Sequence, residues 1–200
     1  MRKRSLALAA LSAVAMLAVP AAASAAGPLP AGTPSGASAT QARGTTTLSF
    51  YGMNLRIPSA WKVRRYGDTA RVITGRCADP EYFYGDCKGF WLVGPKTLKY
   101  WGYTGKNQYI PTLSQPSCPF GGLTMTLFGD RARSRGLRQV GPGHTAKYVT
   151  WPNYCEPQGS SGRKVTFTQR EWFLPTSKIL VADFWDHKGL SGALKNATWS

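Results

Sequence analysis

Histidine is scarce in this sequence, because His144 and His187 are the only two among 200 residues. Catalytic triads and many metal centres draw on histidine, so few sites of either kind can be built here. The nucleophile motif Gly-x-Ser-x-Gly is also missing, since residues 189–193 end in alanine where the motif needs its second glycine. We therefore predict that the chain is not an enzyme.

One histidine still supports a catalytic hypothesis. His187 follows Asp186 and lies four residues after Asp183, and a carboxylate at this spacing would be able to orient an imidazole. A surface or strand-end histidine is the simpler interpretation. His144 follows the Gly-Pro-Gly turn of residues 141–143 and is expected to lie exposed in a loop.

Acidic residues are few as well, with nine Asp and Glu against 25 Lys and Arg. Three of the nine, Asp79, Glu81 and Asp86, lie between Cys77 and Cys87, but their spacing does not match an EF-hand calcium loop. We interpret this stretch as a solvated acidic loop, and we predict no metal site and no cofactor.

Long apolar runs are absent except near the N-terminus. Residues 2–4 are Arg-Lys-Arg and residues 6–19 are mostly apolar, but this run is shorter than the ~20 residues that span a bilayer. Small side chains at residues 23–25 complete the order of a signal peptide. We predict that residues 1–25 are removed, with cleavage one residue later as the second choice. We therefore expect a secreted protein, which its positive charge would retain at an anionic cell wall. The alternative is that residues 1–25 stay attached as a membrane anchor.

The positive charge belongs to the mature protein. Removal of residues 1–25 takes away three of the 25 Lys and Arg and none of the nine Asp and Glu, so the formal net charge falls from +16 to +13 (22 minus 9). A field of this sign attracts nucleic acid, anionic lipid or phosphate-bearing polymers. The alternative is that the basicity serves solubility alone.

The mature chain divides by composition into a linker and one domain. Residues 26–45 are almost entirely Gly, Pro, Ala, Ser and Thr, which predicts a disordered linker. Residues 46–200 have the length of one domain with one core. Short runs of β-branched and aromatic residues between Gly and Pro predict strands: 45–50, 53–57, 61–65, 70–74, 90–93, 123–128, 138–140 and 145–150. The first two flank Tyr51-Gly52 like a hairpin.

The clearest strand pair lies near the C-terminus. Residues 164–173 and 178–186 alternate in polarity on either side of residues 174–177, which predicts an antiparallel hairpin with one buried face. The only helix expected follows a cap at Ser191 and carries Leu194 and Ala197. The predicted fold class is α+β: a mainly antiparallel β-sheet with a short C-terminal helix and two disulfides.

The four cysteines predict the two disulfides, because an even number in an oxidising compartment is typical of paired thiols. Three connectivities are open, and we favour Cys77 with Cys87 and Cys118 with Cys155, since the first pair closes a local loop between two predicted strands. Zinc is the disfavoured alternative, because the sequence has no Cys-x-x-Cys pair.

Two clusters are candidate ligand-binding surfaces. Arginines at alternate positions would share one face of an extended segment and grip successive phosphates or sulfates; they are Arg131, Arg133 and Arg135, with Arg138 close by. Aromatic rings beside cations in a Gly-rich loop suit stacking on sugars or bases; this cluster is Lys99, Tyr100, Trp101 and Tyr103, with Lys106 and Tyr109 nearby. A solvated basic loop and core packing of the rings are the respective alternatives.

The run Phe-Tyr-Gly-Met-Asn-Leu-Arg-Ile-Pro-Ser-Ala-Trp-Lys-Val at residues 50–63 resembles the opening of exported actinomycete proteins of uncharacterised function, in which an apolar strand precedes Pro-x-x-Trp. Similar openings occur in the PsbP-like superfamily, and residues 190–199 resemble its terminal helix. The resemblance implies an antiparallel sheet curved around helices and a binding or scaffolding role. The four cysteines and the few predicted helices depart from that pattern.

Three functional hypotheses follow. The leading one is a secreted, non-catalytic protein that binds an anionic cell-envelope or extracellular polymer or glycan surface. The second is a protein-binding module or inhibitor that uses the loop of residues 77–87, and the third is a hydrolase that uses His187. We expect a monomer with no specific nucleic-acid partner and no transmembrane segment after processing.

Overall fold

The computed structural model describes residues 44–77, 87–110, 125–128, 131–156 and 164–200. All of them belong to one compact unit, Gln41–Ser200. The predicted signal peptide and nearly all of the predicted linker lie outside the described residues. No helix in the described part of the chain has the length and apolar character needed to cross a membrane.

The described residues form two sheets and two short helices. In chain order the elements are β1 (Thr45–Phe50), β2 (Met53–Pro58), β3 (Lys62–Tyr66), β4 (Thr69–Ile73), β5 (Gly89–Val93), α1 (Pro95–Tyr100), β6 (Met125–Phe128), β7 (Ser134–Gln139), β8 (Thr145–Glu156), β9 (Val165–Leu174), β10 (Ile179–Asp183), α2 (Leu190–Lys195) and β11 (Thr198–Trp199). The smaller sheet has the order β1-β2-β11, and the larger has the order β3-β4-β5-β10-β9-β8-β6. The edge strand β7 also pairs with β8, next to β6.

Every strand pair in these sheets is antiparallel, which confirms the predicted α+β class with a mainly antiparallel sheet. The predicted N-terminal hairpin is confirmed, since β1 and β2 pair from Phe50 with Met53 outward. Its two-residue turn has positive φ at both Tyr51 (48°) and Gly52 (81°). Such turns match the twist of the strands that they join.

The β9–β10 hairpin is also confirmed, with Ile179 opposite Leu174 and Asp183 opposite Arg170. The prediction of one buried face is wrong, because all five residues of β10 are buried. Strands in the middle of a sheet that is covered on both sides bury both faces. One face packs against the smaller sheet and α2, and the other against α1 and residues 101–110.

The C-terminal helix is present as α2, but its details differ from prediction. Gly189, with φ of 92°, occupies the N-cap position that was predicted for Ser191. The helix ends at Lys195, and Thr198–Trp199 pairs with β2 as a strand, so Ala197 is buried beyond the helix. The wide backbone freedom of glycine explains why it begins the helix.

The prediction that α2 is the only helix is wrong, because α1 spans Pro95–Tyr100. The Asp68 carboxylate accepts hydrogen bonds from the backbone N–H groups of Lys96 (2.6 Å) and Thr97 (3.0 Å). These are N–H groups that a helix leaves without partners at its start. The cap therefore comes from the β3–β4 turn. Local sequence patterns predict a cap only from the residue directly before the helix, and here that residue, Gly94, makes no side-chain cap bond.

The Cys77–Cys87 disulfide is confirmed. It joins the chain after β4 to the residue that leads into β5, and these two strands are sheet neighbours. Cys155 is fully buried in β8, whereas Cys118 lies outside the described residues. The structure therefore describes one disulfide, and the second pairing stays a prediction.

Candidate functional site

A groove of ≈ 610 Å³ lies between α1, the residues after it, and the ends of β8 and β9. Four lysines line it: Lys96, Lys99, Lys147 and Lys178. All four are exposed, and none of the described residues that line the groove is acidic. The groove is therefore strongly positive, and it contains two residues of the predicted aromatic cluster, Lys99 and Tyr103.

Each lysine is placed by a different part of the fold. Lys96 and Lys99 are three residues apart on α1, so they lie on one side of the helix. The buried residue of this helix is Leu98. Lys147 stands in β8 directly opposite Phe173 of β9. Lys178 lies in the β9–β10 turn with φ of 51°. The four cations thus approach one space from a helix, a strand and a turn.

The floor of the groove is apolar. Leu98, Phe173 and Pro175 line it together with the Tyr103 ring, which meets Phe173 edge to face at 5.4 Å between ring centroids. Gly105 permits this packing: its φ is 77°, and an added Cβ would lie 2.5 Å from Cδ1 of Phe173. Only glycine fits there without displacing the ring.

A buried carboxyl holds the wall of the groove in place. Glu171 in β9 is 1% exposed and accepts hydrogen bonds from the Tyr103 hydroxyl (2.7 Å), the Tyr109 backbone N–H (2.7 Å) and Nε2 of Gln169 (2.6 Å). Nε2 of Gln169 also donates to the Tyr109 carbonyl at 2.8 Å. These bonds fasten residues 103–109 to the face of the larger sheet.

Burial raises the pKa of Glu171 to about 7, even though the hydrogen bonds from Tyr103, Tyr109 and Gln169 lower it. Burial and then the nearby Glu171 charge also raise the pKa of the Tyr103 hydroxyl. Glu171 is not among the site residues predicted from the sequence. Its signal is a charged residue on the same side of β9 as Phe167 and Phe173, where strand alternation predicts an apolar side chain.

The structure places the predicted arginines on two different faces. The Arg135 guanidinium lies over the Trp151 ring at 5.1 Å and donates to the Lys106 carbonyl at 3.3 Å. Arg138 lies over Tyr148 at 4.9 Å. Because Tyr148 and Trp151 are three residues apart in one strand, they point to opposite faces. Arg135 therefore shares the face of the groove, and Arg138 does not.

The other two arginines, Arg131 and Arg133, are exposed and lie just before β7. All six residues of β7 are exposed as well. Since β7 is an edge strand, its charges also protect the sheet against pairing with another chain. This protective role is the structural alternative to a ligand-binding role.

The aromatic cluster lies only partly in a loop. Lys99 and Tyr100 belong to α1, so the prediction of a loop is wrong for these two residues. Tyr100 is 76% exposed at the end of the helix, and its ring meets half-buried Trp101 edge to face. Tyr103 is turned inward by its bond to Glu171, whereas Tyr109 is buried.

Asp183, the carboxylate predicted to orient the His187 ring, instead accepts hydrogen bonds from backbone N–H groups. Asp183 is fully buried and accepts the N–H groups of Trp185 and His187, each at 2.9 Å, and it pairs with Arg170. The His187 ring instead packs edge to face against Trp61 at 4.8 Å, and burial lowers its pKa. The four-residue spacing of Asp183 and His187 thus belongs to a turn of the backbone and does not orient the imidazole.

His144 is half-buried and not exposed as predicted. Its ring stacks on Trp199 with centroids 3.7 Å apart, and Nδ1 lies 3.0 Å from the Pro142 carbonyl oxygen. A neighbour from the far end of the chain therefore covers this turn.

No group of three or more His, Cys, Asp or Glu residues within the described ranges is arranged to hold a metal ion. The acids at positions 79, 81 and 86 lie outside those ranges. Comparisons with models of known protein families, with curated proteins and with solved structures find no match to this chain.

Proposed function

We propose that this chain is a secreted, non-catalytic protein that binds an anionic cell-envelope or extracellular polymer. The observation that carries the proposal is the set of four lysines around one groove, with Arg135 on the same face of the sheet. Its secretion rests on the predicted signal peptide of residues 1–25. The predicted mature charge of +13 (22 minus 9) adds a long-range attraction to the same ligands.

The type of cation fits a repetitive polyanion. A lysine ammonium is a compact point charge that accepts anions from many directions, whereas an arginine imposes a planar, two-pronged geometry. Four exposed lysines therefore suit a flexible chain of phosphates, sulfates or carboxylates better than a ligand that needs a fixed two-pronged contact. Contacts of this kind weaken as salt screens them.

The first experiment is co-sedimentation of residues 26–200 with purified bacterial cell walls, with and without their anionic polymers, across a salt series. We expect binding that requires the polymers and decreases steeply as salt rises. Binding that does not change with salt concentration, or that persists on walls stripped of the polymers, would contradict the proposal.

A pair of matched variants assigns the binding to the groove. The first replaces Lys96, Lys99 and Lys147 with glutamate, and the control replaces the exposed Lys62, Lys188 and Lys195 in the same way. Both lower the net charge equally. We expect the groove variant to lose wall binding and the control to retain most of it. Equal losses would mean that net charge alone attracts the protein to the wall.

We also propose that Cys118 pairs with Cys155. In support, Cys155 is fully buried in β8 and Cys77 is paired with Cys87, so Cys118 is the partner that remains. Peptide mapping of the mature protein without reduction tests the pairing. A peptide that joins the two cysteines supports it, and a free thiol at Cys118 refutes it.

A protein-binding module or inhibitor is the second candidate function. The Cys77–Cys87 disulfide favours it, because a closed loop presents a recognition segment at low entropic cost. This candidate predicts a protein partner that is retained at high salt and lost on reduction. The groove variant would retain such a partner, which separates the two functions.

A further inference from the structure

We infer that the lysine groove binds an amphipathic anion, one molecule with an anionic group and an extended apolar chain. The inference goes beyond the proposed function, which concerns polymers, and gives the same site a second class of ligand. It is motivated by the combination of an apolar floor with a ring of cations. A purely polar polyanion would satisfy the lysines and make no use of the apolar residues in the lining.

The shape of the site suits a single molecule. A volume of ≈ 610 Å³ falls within the range of about 300–1,000 Å³ that is usual for small-molecule sites. The floor is formed by Leu98, Phe173 and Pro175, with the Tyr103 ring standing as a wall. The hydrogen bond from Tyr103 to Glu171 fixes that wall, so the groove is largely formed before a ligand arrives.

The charge around the floor selects an anion. Lys96 and Lys99 come from α1, Lys147 from β8 and Lys178 from the β9–β10 turn, so an acidic group in the groove has cations on more than one side. The nearby carboxylate of Asp68 is already bonded to the first turn of α1. A cationic amphiphile would meet the same floor and be repelled by the same lysines.

The apolar surface continues beyond the groove, which favours an extended chain over a compact ring. Phe173, Lys147 and Leu137 stand opposite one another on three neighbouring strands and share one face. Leu137 is 66% exposed. An apolar chain that lies on Phe173 can therefore run past the stem of Lys147 to Leu137, and lysine stems are themselves apolar.

The test is a titration of the mature protein with three probes: monomeric decanoate, decyltrimethylammonium and inorganic phosphate. Binding is followed by the amide chemical shifts of Tyr103, Lys147 and Phe173. We expect decanoate to shift these signals and to bind at least about tenfold more tightly than either other probe. Equal binding of decanoate and phosphate, or of decanoate and decyltrimethylammonium, would overturn the inference. So would binding to vesicles of anionic lipid without binding of monomeric decanoate.

A variant that fills the groove without changing its charge tests where decanoate binds. Thr104 is exposed and lines the groove, so Thr104→Trp should block the apolar chain. Thr198→Trp, at an exposed position in β11, is the control for an added ring. We expect Thr104→Trp to lose decanoate binding and Thr198→Trp to keep it, and a Thr104→Trp variant that binds decanoate as tightly as wild type would overturn the inference. If decanoate never binds but wall binding persists, this inference fails and the proposed function stands.

Discussion

The Tyr103 hydroxyl donates a 2.7 Å hydrogen bond to the carboxyl of Glu171, which lies 68 residues later in the chain. The bond connects the segment after α1 to the middle of β9. It joins a half-buried ring in the wall of the groove to a carboxyl that is 1% exposed. Because both groups are removed from water, each depends on the other for a partner.

Glu171 predicts a pH dependence of stability. Its pKa is about 7 in the folded chain and 4.5 as a free side chain, so the folded state binds more protons between these values. The free energy of unfolding is therefore highest below pH 4.5 as far as this group is concerned, falls as the pH rises to about 7, and is level above it. Urea unfolding of wild type and Glu171→Gln across this range measures the effect.

We expect Glu171→Gln to flatten this part of the pH profile. The control is Glu156→Gln, which removes a partly exposed carboxyl beside Lys164 at the end of β8. It should keep the wild-type slope. A wild-type slope in Glu171→Gln would mean that other groups cause the pH dependence.

Tyr103→Phe should destabilise the fold by about 1–3 kcal/mol, because it leaves the buried Glu171 with one donor fewer. Tyr100→Phe removes the same hydroxyl from a residue that is 76% exposed, and its effect should stay within about 0.5 kcal/mol. Thermal unfolding of both variants checks the difference. Equal effects would show that the bond to Glu171 contributes little.

Gly105→Ala should destabilise the chain more than Gly102→Ala. Both glycines have positive φ, 77° and 60° respectively, so alanine is strained at either position. Only at Gly105 would the new Cβ also meet Phe173, at 2.5 Å from Cδ1. We expect an excess of roughly 1–3 kcal/mol, the usual cost of overpacking. Chemical denaturation of both variants measures it, and equal losses would argue against the contact.

Asp183→Asn should cost about 3–5 kcal/mol, because it leaves Arg170 without its buried partner. Asp186 pairs with the same guanidinium at 3.0 Å, but its side chain is 71% exposed. Asp186→Asn should therefore cost no more than about 1 kcal/mol. Urea denaturation compares the two, and similar values would show that burial does not decide the strength of these pairs.

The sequence predicted what is encoded locally. The β1–β2 hairpin follows from Tyr51-Gly52 between two alternating runs, and the Cys77–Cys87 bridge follows from a short separation between neighbouring strands. Both features depend on residues that are close in the chain. The alternation of β9 and β10 likewise fixed their pairing.

The features that escaped prediction depend on partners far away in the chain. The cap of α1 comes from Asp68, and the burial of Glu171 depends on Tyr103 and Tyr109. The second covered face of β10 exists because residues 101–110 fold over it. Strand alternation predicts that Arg131, Arg133 and Arg135 share one face. It cannot predict the hydrogen bond from Arg135 to the Lys106 carbonyl, because the two residues are 29 positions apart in the chain.

The cap of α1 by Asp68 has a consequence for the order of assembly. A helix of six residues is too short to hold together by itself in water. It therefore forms only when the β3–β4 turn is in place, and Lys96 and Lys99 have no fixed positions until then. The groove therefore takes its shape only with the β3–β4 turn, so two of its four lysines depend on Asp68, a residue that does not line it.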